Sequence, residues 1–187
     1  MCRSISGNMR ARMSGTAGGM FFSDVDASGH EAAAEEYLRL VAARLAETRR
    51  HGYELLGVSE GWSVLDVGCG LGEVCADLSE IVGARGRVVG IDASSALVAK
   101  AREQWSHLPI EFGVGDAEAL DFGDATFDAV RAERVLQHLD RPATAIGEMA
   151  RVVRPGGRIS VFDTVQDSTV VATEHPAVWR AVVARAL

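Results

Sequence analysis

Asp66, Gly68, Gly70 and Gly72 alternate with other residues in VLDVGCGLGEV (residues 64–74), where an apolar run ends and a helical pattern begins. Glycines so spaced let the backbone turn sharply and approach a flat, nucleoside-containing ligand. Three ligand classes separate on residue positions. A phosphate-gripping loop needs G-x-x-x-x-G-K-[ST], and no Lys-Ser or Lys-Thr pair follows these glycines. A dinucleotide turn needs G-x-G-x-x-G. Counted from Gly68, its third glycine falls on Glu73, a carboxylate where a pyrophosphate would seat. The acid ahead of the first glycine suits a cationic ligand better than an anionic one.

Further acids end later apolar runs. Asp92 closes RVVGID and has two carboxylate oxygens able to accept from ribose hydroxyls. Asp116-Ala117 joins an acceptor to a small residue, a pairing that fits an adenine amino group and ring. Glu133 and His138 follow the fourth apolar run and are the candidates for a general base. His138, in LQHLD, also reads as a loop-fixing histidine, and Glu133 as a ligand contact or as the salt-bridge partner of Arg134. Cys69 has no base or histidine partner visible in sequence and reads as a small packing residue.

The chain that must position these residues has 187 residues, room for one domain with a real core. It is 48% hydrophobic and 24% charged. Its net charge of −7, with Lys100 the single lysine, argues against a general binder of nucleic acid or anionic membrane. Cys2, Cys69 and Cys75 form no disulfide framework and no zinc spacing, so free thiols, no metal and a reducing, cytoplasmic setting are expected. No run reaches the ~18 apolar residues of a membrane span.

Residues 1–20 have no usable period and read as a disordered tail, residues 21–60 as an N-terminal helical lid, and 61–187 as the core domain. Apolar spacing from Glu31 to about Leu56 predicts one or two helices, broken near His51-Gly52. SVLDV (63–67), RVVGID (87–92), IEFGVGD (110–116), FDAVRAE (127–133) and RISVFD (158–163) read as five strands, with RPGG a turn before the fifth. Helices follow in GEVCADLSEIV (72–82), in ALVAKAREQWS behind a Ser94-Ser95 cap, from Pro142 to about Val153, and in HPAVWRAVVARAL. Continuous apolar strands alternating with helices imply right-handed βαβ units and an open parallel sheet covered on both faces.

VLDVGCGLG, VVGIDAS, GDAEALDF and the block FDAVRAERVLQHLDRPATAIGEMARVVRPGGRISVFD occur in the order and spacing of a known family. Over residues 30–165 the chain resembles the class I S-adenosylmethionine-dependent methyltransferases, in the group containing the ubiquinone/menaquinone-biosynthesis enzymes. The resemblance implies a Rossmann-like, doubly wound α/β sheet in the order 3-2-1-4-5 and S-adenosylmethionine as cofactor, leaving S-adenosylhomocysteine. Asp66, Gly68, Cys69 and Gly70 would then lie along the methionine half of the cofactor. Asp92 would hold the ribose, Ala93, Asp116 and Ala117 the adenine, and Glu133 would lie near the amino-acid end. Phe21, Phe22 and Tyr37 would belong to a lid, facing substrate or pinning the helix to the sheet.

The resemblance further implies methyl transfer to a small-molecule acceptor by in-line displacement, with a non-catalytic cofactor-binding partner subunit as the alternative. The family's sixth and seventh strands do not fit in the 24 residues after Asp163, so an abbreviated or fragmentary sheet is expected. Its fifth strand would then offer an open edge for self-association.

Overall fold

The computed structural model describes residues 31–163. The expected tail, Phe21, Phe22 and the C-terminal HPAVWRAVVARAL helix lie outside the described residues. The described elements are α1 (Glu31–Leu56), β1 (Ser63–Val67), α2 (Glu73–Val82), β2 (Arg87–Asp92), α3 (Ser95–Gln104), β3 (Ile110–Val114), β4 (Phe127–Glu133), α4 (Pro142–Val152) and β5 (Val153–Phe162). The five strands form one sheet in the order β3-β2-β1-β4-β5, every ladder parallel. Strand order reverses between β1 and β4, so a crevice opens at their carboxyl ends.

Alternating side chains build a core layer on each face. On one face Val64, Val88 and Ala129 pack with Tyr53 and Leu56 of α1, Leu78 and Val82 of α2, and Val98 and Ala101 of α3. On the other, Leu65, Ile91 and Val130 pack with Ala145, Met149 and Val152 of α4 and with Leu120 from the segment after β3. Ser94 caps α3 by accepting the Leu97 N–H at 3.1 Å, and Pro142 occupies the first turn of α4.

Two expectations from sequence are corrected. The predicted break at His51-Gly52 is absent, and α1 runs unbroken for 26 residues. Glycine costs a helix interior only about 1 kcal/mol, and Arg49 and Tyr53, both anchored to the body of the domain, flank Gly52. The RPGG segment is no separate turn: β5 begins at Val153, and the excursion at 154–157 is a register shift within its pairing to β4. Val153 pairs with Phe127 and Arg158 with Ala129. Ile159, Val161 and Phe162 of this outer strand are 38–41% exposed.

Candidate active site

The site begins where β1 stops. Gly68 (φ 72°) and Gly70 (φ 54°) adopt left-handed backbone that favours glycine. A Cβ on Gly68 would sit 2.3 Å from Val135 Cγ2, so the turn there has no space for a side chain. The N–H groups of Gly68 and Cys69 both donate to the Ile91 carbonyl, at 2.7 and 2.8 Å, tying the turn to β2. Trp105, at the end of α3, donates its indole N–H to the Leu71 carbonyl at 2.8 Å and holds the turn from the other side.

Asp92 is aimed by two backbone donors: Gly70 N–H reaches Oδ2 and Ser94 N–H reaches Oδ1, each at 2.9 Å. Asp116 Oδ1 accepts the Glu118 N–H at 2.8 Å, a local contact that bends the loop after β3. These strand ends surround a cavity of about 410 Å³, a size suited to a small organic ligand. Asp66, Gly68, Cys69, Gly70, Asp92, Ala93, Asp116, Ala117, Glu133 and His138 all line it. The structure therefore brings every cofactor and base candidate into one cavity. Tyr37 belongs to α1, and its side chain is outside the described residues.

The cavity wall carries seven carboxylates (Asp66, Glu73, Asp92, Asp116, Glu118, Glu133, Asp140) and two arginines, Arg49 and Arg134. Several are tuned by their surroundings. Burial pushes Asp66 up to about 6; the charge of Arg131 opposes this and that of Glu133 adds to it. Burial likewise raises Glu73. For Glu133 burial is outweighed by hydrogen bonds from Arg49 and Arg131, which hold its carboxyl below the usual range. A carboxylate held so firmly ionised is a poor proton acceptor. Burial lowers His138, helped by Arg134 and opposed by Asp163, so its imidazole is neutral at pH 7. Cys69 is 7% exposed and its thiol is raised: a hydrogen bond with Cys75 lowers it, but burial and the charges of Asp66 and Asp92 prevail.

Of the two sequence readings of Glu133, ligand contact or salt bridge with Arg134, its place in the cavity wall keeps the first open, while its ion pairs form with other arginines. Arg49 of α1 and Arg131 of β4 both bind Glu133, with Arg131 Nη2 at 2.7 Å from Oε2. Arg134 instead turns into left-handed backbone (φ 59°) and lines the cavity beside His138. Strained backbone of this kind concentrates at functional sites. Neither Arg49 nor Arg131 is among the sequence candidates. One signal for Arg131 is present in FDAVRAE: an arginine inside a buried strand, two residues from Glu133 and hence on the same face. Arg49 has no local signal, being one of three arginines within seven residues of an amphipathic helix.

Residues 65–161, just over half of the chain, match the family described as methyltransferase domain. The chain belongs to the class I S-adenosylmethionine-dependent methyltransferases. It is 36% identical over 120 residues to the 2-phytyl-1,4-naphtoquinone methyltransferase of Synechocystis sp., a stretch covering 62% of this chain and 50% of that protein. It is 38% identical over 112 residues to the demethylmenaquinone methyltransferase of Lactococcus lactis, covering 58% and 44%. The chain thus spans about half the length of the curated relatives it matches. Among solved structures, a SAM-dependent methyltransferase from Aquifex aeolicus superposes with a TM-score of 0.59 at 25% identity, covering 74% of this chain and 78% of that one. The [4+2]-cyclase SpnF superposes at 0.57 with 31% identity, covering 62% and 43%. The five-stranded parallel order of this methyltransferase-family chain agrees with such neighbours.

Proposed function

We propose that this chain transfers a methyl group from S-adenosylmethionine to a small-molecule acceptor of quinone-like class, in the cytoplasm. The observation that carries the cofactor is the charge of the cavity, seven carboxylates against two guanidiniums around a glycine turn. A ligand with a sulfonium and an ammonium against one carboxylate is a net cation and is drawn to such a wall, whereas a dinucleotide's pyrophosphate is repelled. The residues fit that group. The turn has no side-chain bulk at Gly68 or Gly70, and a Cβ on Gly70 would meet only Leu38 Cδ1, at 3.5 Å. Asp66, Gly68, Cys69 and Gly70 would hold the methionine half, with Glu133 at its amino-acid end. Asp92 would accept from the ribose hydroxyls, and Ala93, Asp116 and Ala117 would flank the adenine.

When bound, the cofactor supplies a methyl group already activated by its positive sulfur. The protein's work is then mostly alignment and exclusion of water. Residues 21–60, with Phe21, Phe22 and Tyr37, would form the lid that closes the acceptor side. For a hydroxyl acceptor, His138 would take the proton on a ring nitrogen, since its lowered affinity keeps it neutral at pH 7. Glu133 would recognise charge and would not act as the base. The quinone-like acceptor class is supported by the names of the Synechocystis and Lactococcus relatives.

The test is a calorimetric titration with S-adenosylhomocysteine, with NADH as control, on wild type and Asp92→Ala. Binding of the first ligand alone, weakened by the substitution, is expected. NADH binding would overturn the reading of the glycine turn. Turnover is tested with methyl-labelled cofactor and reduced quinones. Because one fold hosts many chemistries, cofactor binding without methyl transfer would move the reading to a non-catalytic cofactor-binding domain.

A further inference from the structure

We propose that Arg131 is a positioning residue: from inside β4 it keeps Asp66 and Glu133 ionised and aimed, so that the cavity wall meets a cationic ligand with full negative charge. The ligand in this inference rests on the function proposed above; the electrostatics do not.

Arg131 does not line the cavity, so it acts through its two carboxylate neighbours, which do. Strand register sets Arg131 directly beside Asp66 of β1. Its Nη2 donates to Glu133 Oε2 at 2.7 Å. Its Nη1 lies 3.7 Å from Asp66 Oδ1, an ionic contact, and is buried without a hydrogen-bond partner. The guanidinium stacks 5.5 Å over the Tyr53 ring of α1. Tyr53 is itself fixed by donating its hydroxyl to Asp77 Oδ2 at 3.0 Å. The side chains of Arg131, Asp66 and Glu133 are only 6%, 3% and 8% exposed.

The groups facing Asp66 come from every neighbouring element. Arg49 and Tyr53 belong to α1, Cys69 to the glycine turn, and Arg131 and Glu133 to β4. Cys75 of α2 donates its thiol to Asp66 Oδ2 at 3.6 Å. Asp66 and Glu133 are thus balanced by Arg131 and Arg49. Without Arg131, two buried carboxylates would share one guanidinium, and that guanidinium is bound to Glu133. A proton on Asp66, the more buried of the two, would relieve the excess charge. Packing alone does not call for an arginine here, because an apolar side chain fills a buried strand position without the cost of desolvating a charge.

The test uses the full chain as wild type, Arg131→Met and Arg131→Lys, each checked for a cooperative thermal transition. Carbon-13 carboxyl shifts read the protonation midpoint of Asp66, and calorimetry across neutral to alkaline pH reads S-adenosylmethionine affinity. In the Met variant the midpoint should rise by about two units, enough to leave only about a tenth of Asp66 ionised at pH 7. Affinity at pH 7 should fall about tenfold and recover at alkaline pH as Asp66 ionises, and the Lys variant should restore both readouts. If Met does not fold, Arg131→Gln carries the same comparison. An unmoved midpoint in a folded variant overturns the proposal, as does a pH-independent affinity loss that lysine fails to rescue. Wild type that binds no S-adenosylmethionine at any pH would refute the proposed function, while the Asp66 titration still decides the role of Arg131.

Discussion

Arg49 closes on Glu133 across 84 residues of chain, its Nε 3.0 and 3.1 Å from the two carboxylate oxygens and its Nη2 2.9 Å from Oε1. This fork pins the helix before the first strand to the end of the fourth, beside the cavity. Arg49→Ala is expected to destabilise the domain by about 1–3 kcal/mol, because Glu133 keeps Arg131 but loses three charge-assisted contacts. Urea unfolding of Arg49→Ala, Glu133→Gln and the double variant measures the coupling. A coupling energy near zero would mean that the fork does not dock α1.

Asp66 gives stability an unusual pH dependence. Its folded-state affinity is raised to about 6 from 3.8, mainly by burial. Between these values the native state binds more protons than the unfolded chain, so this group's contribution falls as pH rises through 6. Glu73, also raised by burial, acts in the same direction. Glu133, held below 4.5, acts oppositely and only at lower pH. From pH 4.5 to 7, wild type should therefore lose about 2 kcal/mol of stability relative to Asp66→Asn. Chemical denaturation of both proteins at the two pH values checks this, and parallel profiles would contradict it.

Gly68 and Gly70 should fail in different ways. Gly68→Ala adds strained backbone and drives a Cβ into Val135, so a loss of about 1–3 kcal/mol is expected, several degrees in Tm. Gly70→Ala meets open space apart from Leu38. It should cost about 1 kcal/mol in stability, from its left-handed backbone. Its larger effect should be a drop of about tenfold or more in S-adenosylhomocysteine affinity, because the new methyl enters the cavity. Thermal melts and calorimetry on the two variants separate these effects.

His138→Asn should leave S-adenosylhomocysteine affinity unchanged and lower turnover of a hydroxyl acceptor by about 100-fold or more. Because burial lowers His138, the wild-type rate should be flat from pH 7 to 8 and fall only below the ordinary histidine range. Single-turnover rates against pH measure both effects. A loss under about threefold would return His138 to the role of a loop-fixing residue.

Much of this architecture was legible because it depends on local periodicity. Three of the five strands, SVLDV, RVVGID and FDAVRAE, have the same limits in the structure as in the sequence pattern. The cofactor candidates converge because each sits at the carboxyl end of a strand, and a parallel sheet gathers those ends along one edge. Where local rules misled, tertiary contacts had overridden them. Gly52 stays helical between two anchored side chains, and the Arg154–Gly157 segment is absorbed into the pairing of β5 with β4.

By itself the sequence determined the strand–helix alternation, the glycine turn and the carboxylates at the strand ends, all set by residue type and spacing within a few positions. Only the tertiary structure decided how those carboxylates are charged. Arg49, Asp66, Arg131 and Glu133 come from three separate elements. Their mutual distances, and their removal from water, exist only once α1 and β4 have packed around β1. Electrostatic strength depends on both distance and burial, and neither is written in the local sequence.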